Sequence, residues 1–199
     1  MKKIKTAPTT YEDKHEYPIA GVDEAGRGPI AGPVVACALI LPKGRIIEGV
    51  NDSKQLSQKQ RSVLEAEIYK HAVSYSFGII EAPEIDEINI LAAALKAMTE
   101  AIHGLCVVPK TVLVDGTKPP CCNMPVVCIK SGDSLSHTIA AASILAKEYR
   151  DRLMDGYHKE FPLYGFSSHK GYGTKKHFEA VGLHGLTPLH RKSFCKKYV

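Results

Sequence analysis

An α/β fold, with a mixed β-sheet at its centre and helices on its faces, is what this 199-residue sequence predicts. Short apolar runs punctuated by Gly and Pro, IAGV (19–22) and VVACALIL (34–41), have the pattern of buried strands. Further along, such runs alternate with segments of helical period. A 44% hydrophobic content supports one substantial core, and no repeat or linker divides the chain. Residues 1–16, polar and without period, read as a flexible arm, and 17–199 as a single domain.

The two opening strands form a hairpin or meander. Ser57 before QKQRSVLEAEIYKHA is a plausible N-cap for a helix, and VSYSFGII (73–80) alternates as a strand does. After Pro83, the segment 89–105 places Ile90, Leu91, Ala94, Leu95, Met98, Ala101 and Ile102 on one helical stripe, with Gly104 near its end. TVLVDG (111–116) and MPVVCIK (124–130) read as strands, and SLSHTIAAASILAKEYRDRLM (134–154) as a long helix with a small, apolar first half. From about residue 157 onward, short helices and loops rich in Gly, His and Lys form a small basic C-terminal part.

Composition narrows the function. No CxxC pair and no His/Cys spacing of a zinc site occurs among the six cysteines, which read as reduced thiols of a cytoplasmic protein. Neither a secretory apolar region nor an eighteen-residue apolar run is present, so no membrane span is expected. No heptad or apolar stripe calls for a partner copy, and a monomer is expected. From residue 150 onward ten Lys or Arg face four acids, while the whole chain carries only +5. Histidines 158, 169, 177, 184 and 190 and several aromatics are interleaved there, a mixture suited to phosphates, sugars and bases.

The chemistry concentrates in GVDEAGRGPIAGPV (21–34). Asp23 follows one apolar strand and Asp115 another, and ligand sites of α/β sheets gather at such carboxyl ends. On pattern alone, Asp115-Gly116 fits simple turn chemistry equally well. Neighbouring residues on a strand face opposite ways, so Asp23 and Glu24 share a site only if the strand ends between them. Three carboxylates together require a cation, and a hard divalent ion such as Mg²⁺ or Mn²⁺ suits oxygen ligands. Asp133, just before the long helix, is a fourth acid of this kind or a helix cap. The sequence GRGPIAG lacks a complete GxGxxG, and no GK[ST] loop is present, which argues against a nucleotide-cofactor fingerprint. Gly26, Arg27 and Gly28 instead suit a loop that approaches a sugar-phosphate backbone.

These residues resemble a known family, type 2 ribonuclease H of the bacterial ribonuclease HII kind. The matching blocks are GVDEAGRGPIAGPVV (21–35), NDSKQLS (51–57), VLVDG (112–116), GDSLSHTIAAASILAKEYRDRLM (132–154), YGFSSHKGYGT (164–174) and HRKSF (190–194). The resemblance implies an RNase H-like fold and cleavage of the RNA strand in RNA–DNA hybrids and at ribonucleotides embedded in duplex DNA. It implies 5′-phosphate and 3′-hydroxyl products, with Asp23, Glu24, Asp115 and Asp133 as catalytic ligands of two Mn²⁺ or Mg²⁺ ions. It further implies that Gly26-Arg27-Gly28 contacts the backbone at the ribonucleotide and that Tyr172 senses the following deoxyribose. Lys54, His169 and Lys170 would line the phosphate track. Asp151, between Arg150 and Arg152, reads as a structural ion-pair partner. Lys130 stands one residue further from Asp133 than the family's usual lysine. With HRKSF so near the end, Lys192, Lys196 and Lys197 are expected to add substrate affinity.

Overall fold

A computed structural model describes residues 6–196, and Lys197 lies outside them. Five strands form one sheet in the order β3-β2-β1-β4-β5. They are β1 (Ile19–Ala25), β2 (Val34–Ile40), β3 (Ser74–Ile80), β4 (Thr111–Asp115) and β5 (Val126–Ile129). The first three make an antiparallel meander, whereas β1, β4 and β5 run parallel, so the sheet is mixed as expected. The parallel half lines up the carboxyl ends of three neighbouring strands.

Helices cover both faces. α1 (Gln58–His71) and α4 (His137–Glu160) bury Ile68, Ile144 and Leu145 against Cys37 and Leu39 of β2. On the other face, α3 (Ile90–His103) sets Ala97, Met98 and Ala101 against Val22, Ala36 and Val114. Each large aliphatic side chain buried in this way contributes ~1.5–3 kcal/mol. Ser57 caps α1 through a capping box with Gln60, as its place in the sequence suggested. Gly21 is where α4 crosses β1 most closely, since a Cβ there would overlap the Thr138 backbone.

Several expectations are corrected. β1 runs on to Ala25 instead of ending near Val22, because Asp23 and Glu24 keep their ladder partners Cys37 and Ala36 on β2. α2 (Ala82–Ile88), with Pro83 in its first turn, was not foreseen, and α4 extends to Glu160. The expected arm is anchored at two points: Ala7 is buried, and the Glu12 carboxylate accepts from Ser136 Oγ and the Thr138 N–H at the start of α4. The C-terminal part holds α5 (Phe166–His169), α6 (Lys175–His184) and α7 (Lys192–Cys195). Its histidines are not a uniform basic surface, because His177 and His190 are core residues, 0% and 2% exposed. No helix among the described residues is long and apolar enough to cross a membrane.

Candidate active site

Parallel pairing of β1 with β4 sets Val22 beside Val114, which brings Asp23 and Asp115, one residue further on, to the same sheet edge. β5 ends beside them and leads into the turn Gly132–Ser134 that carries Asp133. Asp115 Oδ1 accepts from the Gly132 N–H at 2.6 Å and so ties this turn to β4. Asp133 does not cap α4; Ser136 does, by accepting from the Ile139 N–H. The Asp133 carboxylate instead meets the Lys54 Nζ at 3.4 Å.

A cleft of about 400 Å³ opens on this edge, lined by Asp23, Glu24, the Gly26–Gly28 loop, Lys54, Asp115 and Tyr172. Asp23 and Glu24 both line it although β1 continues past them, for they lie beyond Val22, the last β1 residue paired with β4, while still paired with β2. Burial holds the Asp23 carboxyl well above the usual carboxylate range, and the charges of Glu24 and Asp115 push it further. Glu24 is raised too, mainly by burial, and Arg27 opposes the shift from 3.2 Å. Burial, followed by the charge of Asp52, also raises Asp133.

Among the described residues, no group of three His, Cys, Asp or Glu side chains is closed tightly enough to grip a metal as it stands. The donor set nonetheless fits a hard divalent ion: it is all carboxylate oxygen, substantially buried, and mutually repelling. An added cation would relieve the repulsion that now raises these groups.

Another wall is formed by Gly26–Gly28, the start of a loop that runs to Gly32. Arg191, fully buried, donates to the carbonyls of Gly26 (2.6 Å), Arg27 (3.0 Å), Pro29 (2.7 Å) and Gly32 (3.0 Å). Arg150 donates to those of Ala31, Pro33 and Lys170. Burial, helped by the charge of Arg150, pulls Arg191 down to about 9. Gly26 has φ +97°, and a Cβ there would overlap the Arg150 side chain, so only glycine fits. At Gly28 a Cβ would stand 3.5 Å from Tyr172 Cε1; the tyrosine ring thus borders the glycine loop.

Two residues expected on the phosphate track, His169 and Lys170, do not line the cleft. Lys170 is turned to Asp155 and to the Asp151 carbonyl. The His169 ring is bonded between the Tyr164 carbonyl and the Gly171 N–H. Both are spent on shaping the loop before Tyr172. Asp151 is an ion-pair residue, but its partners are Lys147 (2.6 Å) and Arg61 (3.5 Å), not the adjacent arginines. Residues next to each other on a helix diverge, and i,i+4 neighbours meet. Lys147 and Ser53 also line the cleft; the one sequence signal for Lys147 was its i,i+4 spacing to Asp151. Lys192 and Lys196 are exposed near α7.

The Ribonuclease HII family model matches residues 20–197. A curated ribonuclease HII of Ruminiclostridium cellulolyticum is 53% identical over 181 residues, 91% of this chain and 71% of its own. That of Chlamydia pneumoniae is 53% identical over 177 residues, covering 88% and 82%. Among solved structures, the ribonuclease H2 of Pyrococcus horikoshii superposes with a TM-score of 0.73 at 28% identity, over 88% of this chain and 92% of that one. With the mixed sheet and the acidic edge in place, these matches establish that the chain belongs to the ribonuclease HII family of metal-dependent ribonuclease H hydrolases.

Proposed function

We propose that this protein hydrolyses the RNA strand of RNA–DNA hybrids and cuts on the 5′ side of ribonucleotides embedded in duplex DNA, leaving 5′-phosphate and 3′-hydroxyl ends. The observation that carries the reading is one cleft lined by the acids Asp23 and Glu24 of β1 and Asp115 of β4 together with a glycine loop and a tyrosine, with Asp133 next to Asp115 on the turn after β5. Asp23, Glu24, Asp115 and Asp133 are the oxygen donors that would hold Mg²⁺ or Mn²⁺, whose chemistry there is to activate a water and to stabilise the departing 3′ oxygen.

The chain's own residues do the rest. Arginine-clamped carbonyls on the Gly26–Gly32 loop point into the protein, which leaves its outer edge free to run beside a sugar-phosphate strand. Gly28, without a side chain, lets that strand approach closely, and Arg27, half exposed, supplies a nearby positive charge. Lys54, bonded to Asp133 while strongly exposed, is free to swing toward a phosphate. Tyr172, 46% exposed, presents a flat face beside Gly28. A deoxyribose packs on such a face, whereas a ribose would press its 2′-hydroxyl against the ring.

The test is a duplex with one ribonucleotide, incubated with Mg²⁺ or Mn²⁺ and mapped for cut position and end chemistry beside an all-DNA control. A single cut 5′ of the ribonucleotide with a 3′-hydroxyl end is expected. Equal cutting of the all-DNA duplex would overturn the reading in favour of a general metal nuclease.

A further inference from the structure

Tyr172 and Gly28 come from distant parts of the chain yet lie side by side, and the structure shows what holds them there. Thr187 N–H donates to His190 Nδ1 at 3.0 Å, so that nitrogen carries no proton. His190 must therefore donate from Nε2, and its partner at 3.0 Å is His177 Nε2. With Nε2 accepting, His177 donates from Nδ1 to the Tyr172 carbonyl at 2.9 Å. Backbone groups at the two ends fix every proton in this chain: an amide that can only donate, and a carbonyl that can only accept.

The same segment holds the other side of the site. Arg191, next after His190, gathers the carbonyls of Gly26, Arg27, Pro29 and Gly32, and its N–H donates to the Ile30 carbonyl. His169 stacks on His177 with ring centroids 4.3 Å apart and accepts from the Gly171 N–H, one residue before Tyr172. Burial holds both His177 and His190 down to about 4, so the neutral rings that the chain requires persist at working pH.

We propose that His177 and His190, acting with Arg191, are positioning residues that keep Tyr172 in register with the Gly26–Gly28 loop and thereby set the preference for an isolated ribonucleotide. The inference rests on the reading of Tyr172 and the glycine loop given under Proposed function. None of the three needs to touch substrate. Their effect is transmitted through the Tyr172 carbonyl on one side and the loop carbonyls on the other. A residue that only filled the core would affect all substrates alike.

The experiment measures kcat and KM on a one-ribonucleotide duplex and on a long RNA–DNA hybrid, and takes the ratio of the two kcat/KM values. His177→Phe keeps the ring and its stack but removes both hydrogen bonds. The ratio should fall about tenfold, chiefly through KM on the one-ribonucleotide duplex. His177→Asn, whose side-chain amide nitrogen stands where Nδ1 stood, should restore most of it. In a Tyr172→Ala background, His177→Phe should lower the ratio no further. Should His177→Phe fail to fold, His190→Asn replaces it, because its Oδ1 still accepts from Thr187 while His177 Nε2 loses its donor; a fall of about threefold is expected. Equal losses on both substrates, or a further fall in the Tyr172→Ala background, would overturn the positioning role. A normal loss in Tyr172→Ala beside an unchanged ratio in the histidine variants would overturn that role alone. An unchanged ratio in Tyr172→Ala would overturn the junction reading, and the proposal with it.

Discussion

On one wall of the cleft Asp23, Glu24 and Asp115 crowd the sheet edge, with Asp133 beside them, paired with Lys54; Arg27 pairs with Glu24, and three of the four carboxylates have their pKa pushed up. On the other, Arg150 and Arg191 are 1% and 0% exposed, and every hydrogen bond described for their guanidinium groups goes to a backbone carbonyl. The acidic wall is left electrostatically incomplete; the arginine wall is complete within the chain. Incompleteness marks where a cation belongs, and completeness marks a scaffold that must not move. A change to an acid should therefore damage chemistry and spare the fold, while a change to a buried arginine should damage the fold first.

The largest effect is expected for Asp115→Asn. Cleavage of either substrate should fall by about 10³-fold or more, while affinity for a hybrid, measured by fluorescence anisotropy, stays within about threefold. Next is Arg191→Met, which leaves four loop carbonyls without their donor. A loss of ~3–5 kcal/mol in urea unfolding is expected, since removing one member of a buried polar network strands the others. A loss below ~1 kcal/mol would show that the loop holds its shape without the guanidinium.

The smallest effect has the opposite sign. Asp23→Asn removes a buried charge that its neighbours repel, so the metal-free variant should be more stable than the wild type at pH 7.5, by about 1 kcal/mol. Because the Asp23 pKa is higher in the folded chain than in the unfolded one, its penalty is full at high pH and is relieved as pH falls through the raised value. His177 and His190 work the other way. Their depressed values give stability that is present above about 6.5 and lost as pH falls toward about 4. Between pH 7.5 and 5 the variant, lacking the Asp23 relief, should lose more of its melting temperature than the wild type does.

Much of the acidic wall was legible in the sequence. A carboxylate directly after an apolar run marks the neighbourhood of a strand's carboxyl end: Asp115 is the last residue of β4, and Asp23 lies two residues before the end of β1. Local pattern also placed α1 through its Ser57 cap and α3 through its apolar stripe. The arginine wall was not legible. Arg150 and Arg191 resemble surface cations, and their burial depends on carbonyls more than a hundred residues away in the chain, such as Pro33 and Gly26. His177 and His190 were read as part of a basic, nucleic-acid-facing mixture, although hydrogen bonds to each other and to the backbone pay for their burial. The partners of Lys170 and His169 were not legible either, because a motif cannot show that a side chain is already engaged within the fold.

The claim that the acidic wall awaits a divalent ion is tested most directly by thermal unfolding with and without millimolar Mn²⁺, on the wild type and on Asp115→Asn. Wild-type protein should melt several degrees higher with Mn²⁺, by roughly 5 °C if the ion is near a hundred times its Kd, and Asp115→Asn should show little of that rise. An equal rise in both proteins, or none in the wild type, would contradict the assignment of the β1, β4 and β5 edge as the metal site.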